Sequence, residues 1–339
     1  MKREGLTLNR GPGTRERRNE AVTADLTAVV VAVTDGEPRV LTLDAAAGEL
    51  ERLPSGPFEP QHRTLEQGLR SWVESQTRQT LGYVEQLYTF GDRDRHLPTV
   101  GAERARVLSI GYVALVREPR QSAAEGVAWR GWYRYFPWED WRHGRPPVLD
   151  AIEERLREWV AGAPGGTERR QRAERVAVNF AIDGGTWNED RVLERYELAY
   201  GAGLVAEAYA DGAVAGQGPP RTVGGEPMAG DHRRILATAI ARLRGKIKYR
   251  PVVFELLPPT FTLLQLQQTV EALAGLRLHK PNFRRLVEQQ GLVEDTGAVT
   301  LGTGGRPARL VRFRREALLE RPAPGLRVRA TRAAGPKGS

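Results

Sequence analysis

The last third of the chain constrains the fold most. HRRILATAIARLRGKI spaces Ile235, Ala239, Leu243 and Ile247 four residues apart, which puts them on one face of a helix. RPVVFELL then reads as a short strand, stopped by Pro258-Pro259. Thr262 is placed to start a helix that runs through Ala274 and stops at Gly275, and Lys280–Gln290 make a second helix closed by Gly291. TGAVTLGTGGRPARLVRF reads as two strands around a glycine-rich tip. Helix, strand, helix, turn, helix and β-hairpin is the order of a winged helix-turn-helix.

Charge singles out the same region. The chain carries a net +9, yet residues 231–339 hold 21 Lys+Arg against 8 Asp+Glu, a net +13, while residues 1–230 are net −4. A basic module joined to an acidic one suggests a nucleic-acid face on one part only. Arginine-rich genomes also raise basic content, and only five of the basic residues are lysine, but that habit would not leave the first 230 residues acidic. The 339 residues suggest two or three domains. The absence of cysteine removes disulfides, thiol nucleophiles and CxxC zinc sites, and fits a reducing cytoplasm. MKREGLTLNRGPGTRERRNE lacks the apolar core of a signal peptide, and the run Ala28 to Val33 is far short of a membrane span of roughly 18 residues. No membrane partner is expected.

In the first part, DLTAVVVAV and RVLTL read as strands around a turn at Asp35-Gly36. A helix follows, with Leu65, Leu69, Trp72 and Val73 on its apolar face, and then the strands GYVEQLYTFGD and VLSIGYVALV. The stretch from Gly56 to Phe90, glycine turn, helix, strand, resembles a Nudix catalytic segment, G-x5-E-x7-R-E-U-x-E-E-x-G-U with U aliphatic. In that family several carboxylates on one helix face hold Mg²⁺ against a diphosphate. Laid on this chain, with one extra residue before the helix, the first acidic position meets His62 or Arg63. The Arg-Glu pair becomes Ser71-Trp72, the Glu-Glu pair Ser75-Gln76, and the closing glycine Arg78. Sliding by one recovers only Glu74. A lone carboxylate cannot assemble the metal cluster, so no catalytic residue and no metal site is expected.

WRGWYRYFPWEDWRHGRP holds four of the seven tryptophans. It reads either as packed core with snorkelling arginines or as a nucleotide pocket in which Trp138 stacks on a base and Arg134, Arg142 and Arg145 meet phosphate. Val148–Val160 reads as a helix, Ala163–Arg175 as a charged surface loop, WNEDRVLERYELAYGAGLVAEAYAD as one amphipathic helix, and Gly212–Gly230 as a flexible connector. The five histidines show no metal spacing, and GTGG without GK[ST] reads as a wing tip rather than a phosphate loop.

HKPNFRRLVEQQG carries the sharper signal. Phe283, Leu286 and Val287 face inward, leaving Lys280, Asn282, Arg284 and Arg285 outward near the helix start. A recognition helix meets base edges there, arginine reading guanine and asparagine adenine. Thr303 and Arg306 of the tip, with Lys246, Lys248 and Arg250, are placed for phosphate or minor groove.

The run LRGKIKYRPVVFELLPPTFTLLQLQQTVEALAG…LHKPNFRRLVEQQGLVEDTG…GRPARLVRFR, with its FTL-x2-LQ, NFRR and GRPA signatures, resembles the C-terminal domain of the Nudix-related transcriptional regulators of NAD metabolism. LGYVEQLYTFGD and YVALV are similar to that family's N-terminal domain, and the tryptophan-rich segment resembles its alphaproteobacterial branch, the NadQ regulators. The resemblance implies an α+β chain: a Nudix-like α/β/α sandwich followed by a winged helix. The expected divisions are a disordered basic 1–20, a degenerate Nudix-like sensor with a helical insertion over 21–212, a connector over 213–230, a winged helix over 231–318 and a basic tail over 319–339. It also implies a homodimeric repressor on palindromic double-stranded operator DNA, without a cofactor, whose effector is NAD, ADP-ribose or ATP. The rival readings are a diverged Nudix hydrolase and a nucleic-acid-binding scaffold without a ligand.

Overall fold

The computed structural model describes residues 22–44, 50–92, 106–117, 119, 126–216, 221–300, 307–320 and 325–326. Its framework is the run of β-branched and aliphatic residues in β1 (Val22–Thr34). The second half of β1 pairs antiparallel with β2 (Glu37–Leu43) and its first half with β3 (Ser55–Pro57). Beyond helix α1 (Leu65–Thr77), β4 (Tyr83–Phe90) pairs antiparallel with β5 (Arg106–Leu115), which runs parallel to β1 from Val22↔Arg106 to Val31↔Leu115. A strand not foreseen from the sequence, β6 (Val127–Gly131), closes the order β4-β5-β1-β2-β6.

β1 is apolar on both faces because both are covered. Leu26, Ala28 and Val30 pack with Leu69 and Val73 of α1 on one side. Val29 and Val31 join the larger core on the other, with Ile235, Leu236 and Ala239 of a later helix. The result is a helix–sheet–helix sandwich, the expected α+β class.

The tryptophan-rich stretch turns into that larger core. Trp132, Tyr135, Phe136 and Trp138 have no exposed surface. The helical insertion follows: α2 (Val148–Ala161), α3 (Gly166–Phe180), α4 (Val192–Gly201) and the short α5 (Glu207–Ala210). Two expectations fail here. The supposed loop at 163–175 lies largely in α3, because its Arg, Glu, Gln and Ala are good helix formers and Val176 and Phe180 supply a buried edge. The supposed single helix at 187–211 is broken at Ala202-Gly203, where Gly203 takes φ +69°.

The later part of the supposed connector, residues 223–230, is packed as well. It begins in a helical turn, α6 (Arg221–Gly224), and Met228 is fully buried. Gly225 (φ +72°) lies so close to the Tyr135 carbonyl that a side chain would collide with it.

α7 (His232–Ile247) buries Ile235, Ala239, Leu243 and Ile247 as the spacing requires. RPVVFELL is not a strand: Val252–Leu256 form a 3₁₀ turn that buries Val252, Val253, Phe254 and Leu256. α8 (Leu263–Ala274) opens on a capping box in which Thr262 Oγ1 accepts from the Gln265 amide at 3.1 Å and Gln265 Oε1 from the Thr262 amide at 2.7 Å. α9 (Lys280–Gln290) ends on Gly291 at φ 53°. β7 (Val293–Thr300) and β8 (Ala308–Phe313) form the hairpin, Phe261 and Val311 exchange backbone hydrogen bonds, and Phe254 stacks on Phe313 at 4.4 Å. A last turn, α10 (Ala317–Glu320), follows.

Candidate nucleic-acid interface and ligand cleft

α9 meets the requirements of a reading helix. Phe283 and Val287 are buried against the domain, while Lys280, Asn282, Arg284 and Arg285 are all exposed. Pro281 sits in the first turn, where a missing N–H costs nothing. Arg285 Nη2 donates to Asn282 Oδ1 at 3.0 Å, so two candidate base-reading groups already lie side by side. Their guanidinium and amide groups are suited to guanine and adenine edges. Arg309 and Arg312 of β8, with side chains 82% and 62% exposed, pair across the hairpin with Asp295 at 3.4 Å and Glu294 at 2.5 Å. They stand in ARLVRFRR, a run with four arginines in eight residues. Thr303 and Arg306 lie outside the described residues.

Lys246 and Lys248 are not free for DNA. Lys246 Nζ bonds Glu85 and, at 2.9 Å, the Tyr83 hydroxyl, tying α7 to β4. Lys248 Nζ lies 2.9 Å from Glu189 and 2.6 Å from Asp190. Burial lowers both ammonium groups and these partners raise them further, for a net rise. Arg250 is exposed.

Of the four residues expected to hold a ligand, Trp138 is buried and the three arginines meet other groups of the chain. Trp138 is wholly buried, edge-on to Phe136 at 6.1 Å. Arg142 is closed off by Asp140 at 2.8 Å, Glu37 at 2.9 Å and the Gly36 carbonyl at 2.8 Å, over the Tyr133 ring. Arg145 is bound by Asp150 at 2.5 Å and Glu153 at 2.6 Å. Arg134 lies at the surface, 3.9 Å from Glu51. The aromatic residues of the segment are core, and its arginines lie near acidic groups of the chain.

A cleft of about 400 Å³ opens instead beside α1, lined by Glu59, Gln61, His62, Gln67, Ser71, Trp72 and Ser75. His62, Ser71, Trp72 and Ser75 occupy the positions where a Nudix segment carries acids or the arginine. Trp72 lies across Gly56, where any side chain would strike its indole, and its Nε1 donates to the Pro57 carbonyl at 2.9 Å. Glu74 does not line the cleft. Among the described residues no group of three or more His, Asp or Glu is placed to hold a metal ion, and no helix is long and apolar enough to cross a membrane.

The fold and α9 together define a winged-helix domain carried on a Nudix-like one. Residues 253–313 match the family model of the NrtR DNA-binding winged helix domain. The ADPR responsive transcriptional repressor NtrR of Acinetobacter baylyi (strain ATCC 33305 / BD413 / ADP1) is 42% identical over 86 residues, 25% of this chain and 34% of that protein. The match thus spans about a third of that relative's length. The crystal structure of Shewanella oneidensis NrtR covers 87% of this chain and 95% of its own at a TM-score of 0.51 and 20% identity, a likeness of fold. Residues 253–313 thus match the NrtR winged helix, and the chain as a whole shares the fold of the Shewanella protein.

Proposed function

We propose that this chain is a cytoplasmic DNA-binding transcriptional regulator, a repressor of genes of NAD biosynthesis or salvage, whose Nudix-like domain senses an adenine nucleotide without hydrolysing it. The observation that carries the reading is the exposed set Lys280, Asn282, Arg284 and Arg285 on α9, within a domain matched by the NrtR winged-helix family. A single winged helix contacts a short half-site, so a two-fold dimer on a palindrome supplies the useful affinity. Trp72, Ser75 and Gln76 at the positions of the motif's carboxylates favour binding over turnover. The ADPR-responsive name of the Acinetobacter relative makes ADP-ribose the first effector to try, ahead of NAD and ATP.

The test is selection of duplexes from a random pool, followed by anisotropy on the selected and scrambled sequences. Arg285→Ala is expected to weaken the selected duplex by about 1–3 kcal/mol and leave scrambled DNA nearly unchanged. Equal weakening on both would remove α9 from sequence reading. Titrating each nucleotide into the complex tests sensing, and product analysis with Mg²⁺ tests turnover. Hydrolysis abolished by Glu74→Gln would restore the enzyme reading.

A further inference from the structure

The cleft beside α1 has the wrong chemistry for a metal-bridged diphosphate and a suitable one for a neutral ring with hydroxyl groups. Among the described residues no guanidinium or ammonium lines it and Glu59 is its one carboxylate, so an anionic group entering it would meet repulsion and no counter-charge from them. What lines it is hydrogen-bonding and aromatic. Gln67, Ser71 and Ser75 follow each other at four-residue intervals along α1, which aligns one amide and two hydroxyls as a rail. Ser75 Oγ donates to the Trp72 carbonyl at 3.0 Å, which leaves its lone pairs to accept.

His62 supplies a fixed donor. Its side chain is only 8% exposed, and its Nδ1 accepts from the Glu59 amide at 3.1 Å, so the neutral ring carries its proton on Nε2. That nitrogen lies 3.9 Å from Glu59 Oε2, too far for a hydrogen bond. Trp72 stands edge-on to His62 at 6.4 Å, and Phe58 lies 6.0 Å from the same imidazole. The indole is held over Gly56 by its bond to Pro57, so little rotamer freedom is lost when a ring packs on it. The volume of about 400 Å³ is within the range of small-ligand pockets.

We propose that this cleft takes the nucleoside half of a nucleotide, base and ribose, without a divalent cation, and that the phosphates project out of it toward solvent. The inference rests on the reading of the domain as a nucleotide sensor and adds which half of the ligand the α1 face recognises. The carboxylates of a Nudix helix have thus been exchanged for groups that bind the uncharged end.

The experiment is calorimetric titration of the full chain with adenosine, AMP and ADP-ribose, each in Mg²⁺ and in EDTA. Adenosine is expected to bind saturably, with an affinity unchanged by EDTA. Trp72→Ala is expected to weaken it about tenfold or more, and Trp72→Phe by much less. Because Trp72 also packs on Gly56, Ser71→Leu at an exposed position serves as the second variant, and it should abolish adenosine binding while the unfolding midpoint stays put. If ADP-ribose binds but adenosine does not, or if binding is lost in EDTA, or if both variants bind as the unaltered chain does, the inference is overturned and the sensor reading stands. If no nucleotide or nucleoside binds at about millimolar levels, both fall.

Discussion

Replacing Glu139 by Gln tests the joint between the insertion, α7 and the DNA-binding domain. Glu139 has almost no exposed surface, and its carboxylate takes Arg195 Nε at 2.5 Å, Arg195 Nη2 at 2.8 Å and Arg244 Nη1 at 2.6 Å. Burial pushes this carboxyl up, but the charges and hydrogen bonds of the two arginines outweigh it and hold the group below the usual carboxylate range. Arg244 also donates to the Leu273 carbonyl at 3.0 Å, so the same cluster orients α8. The amide keeps the shape and removes the charge, leaving two buried guanidiniums facing a neutral group and one N–H pair pointing at other donors. Breaking a buried ion pair in this way costs about 3–5 kcal/mol, a large share of the roughly 5–15 kcal/mol that holds a protein folded. Urea unfolding of Glu139→Gln should therefore show a much lower midpoint at an unchanged slope, with DNA binding lost at milder denaturant than in the unaltered chain. Removing all three charges together, in the triple variant Glu139→Leu, Arg195→Met and Arg244→Met, should cost far less, because no uncompensated charge remains. A loss under about 1 kcal/mol in Glu139→Gln would mean that water reaches the cluster and that it does not hold the joint.

His232 is buried with its Nδ1 accepting from the Leu53 amide at 2.9 Å, and burial, with Arg52 nearby, pushes its imidazole down to about 4. The unfolded chain, titrating near 6.5, then binds more protons between the two values, so stability falls by about 3 kcal/mol as pH drops from 6.5 to 4. Urea midpoints across that window should show this component removed in His232→Gln; identical pH profiles would refute it. Lys280→Ala should lower the salt slope of DNA binding by about one unit, while Lys246→Ala, already paired with Glu85, should leave it unchanged, as a salt titration of both variants would show. Gly275→Ala puts a methyl group against the Glu139 carbonyl and 2.8 Å from Arg244 Nη2 at φ +70°, and should cost about 1–3 kcal/mol by urea unfolding.

Where a signal was local, the chain could be read residue by residue. The periodicity of α7, the Thr262–Gln265 box, the left-handed glycines 275 and 291 and the two-sided apolar run of β1 each depend on neighbours a few positions away. The same holds for α9, whose inward and outward sides follow from the spacing of Phe283 and Val287. α3 escaped notice because its apolar edge is only Val176 and Phe180 within a charged run, too thin a stripe to register as a period.

The candidate sites divide along the same line. Spacing alone marked Lys280, Asn282, Arg284 and Arg285 as outward, and it equally showed that the Nudix positions hold Ser71, Trp72, Ser75 and Gln76. Whether a cation is available is a different kind of question. Lys246 meets Glu85 across 161 positions and Arg142 meets Glu37 across 105, so the partners that neutralise them are remote in sequence. Trp72 likewise seals Gly56 only once α1 is laid beside β3. Helix and turn preferences are set by bonds among adjacent residues, and the sequence therefore determines them. Coulomb energy and close packing depend on distance in space, and only the folded chain brings those charges and rings together.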